Sequence, residues 1–246
     1  MSELPKTLED AIAQAQAATV AAIADGRNRL QVELIFPELK LMPIAEQFLP
    51  VFETYGDKLK IFFPDAGACA LARRDWAGVP YKIEDMGMSR TASIQSKIQP
   101  EDEIFLFVSP TPQETPQLEQ ICQVIGDRPF IILNPRLDEA GAVGIGYTAR
   151  QTRMRFLSTI ESCYYLRPIM EEAAVFRSYP GIWEVWIENA GDYQRVVELP
   201  NKPLGEEVDA ILAKGQPATI VNGETIPGKK PNMFRNLQRF IKALSN

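Results

Sequence analysis

Between residues 30 and 134, short apolar runs alternate with stretches whose apolar positions recur every three or four residues. The runs at 30–36 (LQVELIF), 59–63 (LKIFF), 81–83, 103–108 (EIFLFV) and 130–133 (FIIL) read as strands. The nearly unbroken apolar character of 103–108 is that of a strand covered on both faces. Helices are predicted over about 44–55, directly after Asp65, and over 116–125. Pro50 is expected to kink or divide the first, and Pro116 suits the first turn of the last. Ahead of these, Thr7 and Asp10 form a helix-start signature, and Leu8, Ile12, Ala15, Thr19 and Ile23 make one apolar stripe ending near Gly26. Strands alternating with helices predict the α/β class, with a mostly parallel sheet and helices on both faces.

After residue 134 the rhythm changes. Residues 149–165 are predicted helical, with Met154, Leu157, Ile160 and Tyr164 on one side. Residues 183–188 and 194–199 alternate apolar and polar positions and are expected to pair as a hairpin. A short helix is predicted over 205–214, and Asn222-Gly223 marks a second hairpin between 218–221 and 224–227. Residues 232–244 read as a terminal amphipathic helix. With no repeat or obvious linker, the expectation is a single α/β domain over 1–246. Its core would span 30–134, with a C-terminal antiparallel and helical extension over 149–246.

Composition narrows the chemistry. The 246 residues contain no histidine, which removes Ser-His-Asp and Cys-His catalysis and every histidine-ligated metal site. The three cysteines (Cys69, Cys122, Cys163) are widely spaced among apolar residues and fit a reducing compartment. No metal and no cofactor are expected. The first ten residues lack the basic start and apolar run of a secretory signal, and no apolar stretch approaches the ~20 residues of a membrane-spanning helix. A net charge of −6 disfavours nucleic acid as a partner of the whole surface.

Three predicted strands end in polar turns, which would place Asp65, Ser109, Thr111, Asn134 and Arg136 on one rim. Ligands of open parallel sheets collect beyond the carboxyl ends of strands, so this rim is a candidate pocket for an anionic small molecule. The ordinary alternative is that Asp65 caps its helix and Asn134 shapes a turn. A second candidate is the arginine run Arg150, Arg153 and Arg155, followed by Arg167 and Arg177, suited to a carboxylate, a phosphate or an acidic partner surface. Its alternative is a solvated face or internal ion pairs. The glycine and lysine spacing from Gly223 to Lys229 imitates a phosphate-binding loop, but Lys230 stands where Ser or Thr is needed. The glycines at 144 and 146 lie too far beyond the 130–133 strand for a dinucleotide fingerprint. The aromatics Tyr179, Trp183, Trp186 and Tyr193 read as sheet core.

Several strings carry a family resemblance: Leu4-Pro5, 32–37 (VELIFP), Phe63-Pro64-Asp65-Ala66-Gly67 with Ala70-Leu71-Ala72, and Ile132-Leu133-Asn134-Pro135. Residues 144–150, Arg155-Phe156, and Arg177-Ser178-Tyr179-Pro180 leading to Trp183 complete the set. The chain resembles the uncharacterised domain family shared by cyanobacteria and plastids. That family includes the low-photosystem-II-accumulation type assembly factors and the C-terminal extension of a plastid adenylate kinase. The resemblance implies a non-enzymatic accessory protein of photosynthetic cells with a photosystem subunit or assembly factor as its partner. It also implies a cytoplasmic location of cyanobacterial type and peripheral thylakoid contact. It supplies no catalytic residue set.

Overall fold

The computed structural model describes residues 3–87, 94–137, 155–169, 172–189, 192–215, 220–221 and 224–225. Helix α1 (Leu8–Ala24) begins as its sequence dictates. Thr7 Oγ1 accepts from the Asp10 N–H at 3.0 Å while the Thr7 N–H donates to Asp10 Oδ2 at 3.1 Å. The reciprocal pair satisfies donors that a helix start leaves open. Strand β1 (Arg29–Leu34) follows, then helix α2 (Leu41–Phe48), which gives way at Leu49–Lys58 to 3-10 turns. The division falls at Pro50, whose ring cannot supply a helical N–H. The chain continues through β2 (Leu59–Phe63), α3 (Ala66–Asp75), β3 (Lys82–Asp85), β4 (Ile104–Val108), α4 (Thr115–Ile125) and β5 (Phe130–Leu133). Its C-terminal part adds β6 (Glu161–Ile169), β7 (Ala173–Ser178), β8 (Trp183–Asn189), β9 (Asp192–Leu199) and helix α5 (Gly205–Gly215). Ile220–Val221 and Glu224–Thr225 form a separate two-stranded antiparallel pair, β10 and β11, flanking the Asn-Gly dipeptide.

The first nine strands make one sheet in the order β3-β2-β4-β5-β1-β6-β7-β8-β9. Pairing is parallel from β3 through β6 and antiparallel from β6 to β9. The mixed α/β architecture with a mostly parallel core is therefore observed. Its antiparallel portion, β6 to β9, is larger than the single hairpin expected from residues 183–199.

One predicted element is corrected. Residues 161–165, expected to end a helix over 149–165, belong to β6, which pairs in parallel with β1. Cys163, Tyr164, Tyr165 and Leu166 are all buried, so this stretch shows no polar side and its helix-like spacing carries no helical information. A bulge adds to the confusion. Gln31 pairs with Ser162 and Val32 with Tyr164, leaving Cys163 without a partner position and breaking the two-residue period. Strand β7 (AAVFRS) lies where no element is predicted; its alanines give no local strand signal, and the β6 and β8 ladders on either side hold it extended. The predicted terminal helix at 232–244 lies outside the described residues.

Alternation along the strands separates two cores. On the first face Leu30, Val32, Leu34, Leu59, Ile61 and Leu106 pack with α1, α2 and α3. On the second face Phe62, Phe105, Phe107, Phe130 and Ile132 pack against α4, with the Phe62 and Phe107 rings stacked at 5.0 Å between centroids. Each of these fully buried rings contributes on the order of 1.5–3 kcal/mol. A smaller cluster (Tyr165, Val175, Trp183, Val208) lies under α5. Between the α4 and α5 clusters, β1 turns Gln31 and Glu33 to the second face. That gap carries the candidate site.

Candidate functional site

A cavity of about 850 Å³ opens at the carboxyl ends of β1, β4 and β5. Its position follows from the chain's routing. After β1 the chain enters α2, whose Ile44, Ala45 and Phe48 join the first-face core. After β5 the described end of the connection, Phe156 and Ile160, joins the second-face core. Adjacent strands whose connections leave on opposite faces part at their ends, and in open α/β sheets ligands bind in that crevice.

The floor is polar. Glu33 is only 7% exposed, yet its carboxylate is fully engaged. Oε2 accepts from Ser162 Oγ at 2.6 Å and Gln31 Nε2 at 3.0 Å, and Oε1 accepts from Lys202 Nζ at 3.0 Å. The Lys202 ammonium also sits 4.3 Å from the centroid of the Tyr165 ring. Burial pushes the Tyr165 phenol up, with the Lys202 cation pulling the other way. Arg167 follows Tyr165 by two residues on the same side of β6 and is exposed at the cavity wall. Arg136 lines the cavity from the turn after β5, its N–H bonded to Pro110 O at 2.9 Å. Among the described lining residues, three are cations and two are carboxylates (Glu33, Glu38), in a chain of net charge −6.

The backbone is strained here and nowhere else among the described non-glycine residues. Glu38 (φ 61°), Ser109 (φ 49°) and Asn134 (φ 48°) are the three such residues with positive φ, and all three line the cavity. Such conformations cost on the order of 1–3 kcal/mol each and cluster at ligand clamps. Ser109 has a second oddity. It is 5% exposed, and its Oγ is the one buried side-chain polar atom among the described residues without a hydrogen-bond partner. A hydroxyl left unpartnered in a buried site costs about 1–3 kcal/mol unless something arrives to bond it.

The predicted rim residues separate accordingly. Ser109, Asn134 and Arg136 share the cavity. The Asn134 amide is committed to the protein, since its Oδ1 accepts from the Leu34 N–H at 2.7 Å and its Nδ2 donates to Leu34 O at 3.1 Å. Asp65 does not line the cavity. It caps α3, accepting from the Ala68 N–H at 2.9 Å, because the β2 turn leads into a helix on the first face. Thr111 likewise forms a capping box with Glu114. Arg150 and Arg153 lie outside the described residues, as do Gly144, Gly146, Gly228 and Lys229. Arg155 binds Glu119 through two bonds of 2.6 and 2.7 Å, and Arg177 pairs with Glu161 at 2.7 Å and stacks 5.6 Å from the Trp183 ring. Both follow the internal-pairing alternative.

Sequence reasoning passed over Glu33 and Lys202. A signal for the first was present, since Gln31 and Glu33 are the two polar residues of the otherwise apolar run 30–36 and share one face. Lys202 stands 169 positions from Glu33 and carries no local mark. At the opposite edge of the sheet, Asp102 is held between Lys60 (3.0 Å) and Lys82 (2.9 Å). That cluster is saturated internally. Among the described residues no group of three or more acidic or cysteine side chains could hold a metal ion, and no helix is long and apolar enough to cross a membrane.

The fold and cavity define an α/β protein with a ligand-sized crevice at a sheet switch point. The model of the domain of unknown function DUF1995 matches residues 5–210, and the chain belongs to that family. No solved structure matches the chain.

Proposed function

We propose that the protein binds a small phosphorylated or carboxylated molecule in the cavity at the ends of β1, β4 and β5. The observation that carries this reading is the unpartnered, buried Ser109 Oγ in a cavity that Arg136, Arg167 and Lys202 also line. Guanidinium and ammonium groups supply charge-assisted hydrogen bonds to an oxyanion, and rotation of the Ser109 side chain about χ1 brings its hydroxyl to bear as one more. The Glu33 contact holds Lys202 in place rather than consuming its three donors. Calorimetry and thermal-shift measurements against carboxylates, sugar phosphates and nucleotides test the reading. A ligand at a hundred times its Kd is expected to stabilise the fold by about 2.7 kcal/mol. An Arg167→Glu variant, altered at an exposed position, is expected to bind about tenfold or more weakly. No response to any anion at millimolar concentration would refute the site.

A role in photosystem biogenesis, through contact with a photosystem subunit or assembly factor, is a second reading supported by the family resemblance. It places the protein at the cytoplasmic side of thylakoid membranes, with Arg150 and Arg153 as the contact surface. Deletion is expected to lower photosystem accumulation, and an Arg150→Glu/Arg153→Glu protein is expected not to restore it. Full restoration by a stably folded variant would remove those arginines from the role.

A further inference from the structure

The cavity has a second lining that a small polar anion does not use. Ile35 stands two residues beyond Glu33 on the same side of β1 and is 42% exposed, unusual for isoleucine at the end of a central strand. Leu39 and Leu41, entering α2, and Leu157, preceding β6, also line the cavity and are only partly buried. Behind them Phe36 and Leu137 are buried and close the wall. Apolar side chains left wet in a concavity lose roughly 25 cal/mol for each Å² that a ligand could cover. The cavity's volume of about 850 Å³ is also in the range that accommodates ligands far larger than phosphate or a short acid.

We propose that the ligand is an anionic amphiphile. Its single carboxylate or phosphate head is bound by Arg167, Lys202, Arg136 and the Ser109 hydroxyl. Its apolar body lies along Ile35, Leu39, Leu41 and Leu157. The proposal rests on the anion-binding reading and adds the chemical class of the ligand. The charged head accounts for the unpartnered hydroxyl; the apolar body accounts for the partly exposed apolar wall that a small anion leaves unexplained.

Calorimetry with hexyl, octyl and decyl phosphate below their micelle-forming concentrations tests it, with inorganic phosphate, ribose 5-phosphate and octyltrimethylammonium as comparisons. Each added methylene is expected to tighten binding about three- to fourfold. An Ile35→Asn variant, changed at an exposed position and checked for an unchanged melting temperature without ligand, is expected to flatten that gradient while still binding the phosphate head. If ribose 5-phosphate binds and lengthening the alkyl chain adds nothing, the amphiphile is overturned and the anion site stands. If octyltrimethylammonium binds as tightly as octyl phosphate, or no probe binds, both readings fall. Vesicles of phosphatidylcholine with phosphatidate distinguish the ligand's source. Cosedimentation that decyl phosphate reverses assigns the amphiphile to a bilayer, and decyl phosphate binding without cosedimentation assigns it to free solution.

Discussion

Replacing Asp102 by alanine is expected to destabilise the protein by about 3–5 kcal/mol, read as a lowered urea midpoint with an unchanged slope. Its carboxylate is fully buried, and so is nearly all of the Lys60 side chain, which is 4% exposed. Asp102 Oδ2 accepts from Lys60 Nζ at 3.0 Å and from the Gln99 N–H at 2.8 Å, while Oδ1 accepts from Lys82 Nζ at 2.9 Å. Alanine leaves the Lys60 ammonium buried without its counter-charge, and that orphaned cation dominates the loss. The neighbouring Lys58–Glu103 pair is a control, since both side chains are about half exposed. Glu103→Ala is expected to cost less than about 1 kcal/mol. A similar small loss for Asp102→Ala would show that the cluster does not hold the sheet edge.

The same carboxylate sets an acid limit. Burial alone would raise its pKa, but hydrogen bonds from Lys82, the Gln99 backbone and Lys60 outweigh that and hold it below the ordinary carboxylate value. The unfolded chain then binds the proton more readily than the folded one. The Asp102 contribution is therefore complete above about pH 5, where the unfolded carboxylate is fully ionised, and drains away as pH falls through the unfolded and then the lower folded value. An Asp102→Asn protein is expected to show a shallower loss of stability across that acid range.

Asn134→Ala carries the second large effect, about 3 kcal/mol, and reaches the candidate site. Parallel pairing of β1 with β5 ends at Val32 and Leu133, and the Asn134 N–H still donates to Val32 O at 2.7 Å. Beyond that point the Asn134 side chain takes over, bonding both the N–H and the C=O of Leu34. Alanine removes both bonds inside a buried region, at about 1–3 kcal/mol. It also keeps a Cβ at a φ of 48° without the polar side chain that lets asparagine tolerate that conformation, adding about 1 kcal/mol. Asn134→Gly relieves the second penalty and not the first, so it is expected to be about 1 kcal/mol less damaging than alanine. The two variants together separate backbone strain from lost hydrogen bonds. Because Leu34 leads into Ile35 and Phe36, either variant is also expected to weaken binding in the cavity, measured by calorimetry with the best anion found. Equal stability of Asn134→Ala and the parent protein would contradict this account.

Much of the architecture was legible because it is local. Strands β2 and β5 are short apolar runs bounded by turn residues, and their observed limits, Leu59–Phe63 and Phe130–Leu133, coincide with the predicted ones. The α1 cap, the break at Pro50 and the β8–β9 hairpin likewise follow from the chemistry of a few adjacent residues. Strands β6 and β7 escaped notice because their extended form is imposed by neighbours. Tyr164 and Tyr165 satisfy a helical spacing as well as a buried strand, and only the ladder with β1 decides between them.

The candidate site divides along the same line. Taken alone, the sequence determined an α/β chain without imidazole chemistry, and placed Ser109, Asn134 and Arg136 at strand ends, since apolar runs and turn residues are written in neighbouring positions. Only the tertiary structure decided which ends meet. Strand order sets β1 beside β5 and puts the β2 turn with Asp65 elsewhere, and it brings Lys202 onto Glu33 across 169 positions. Strand order depends on which faces the connecting helices cover, a property of the whole buried surface that no short stretch of residues contains.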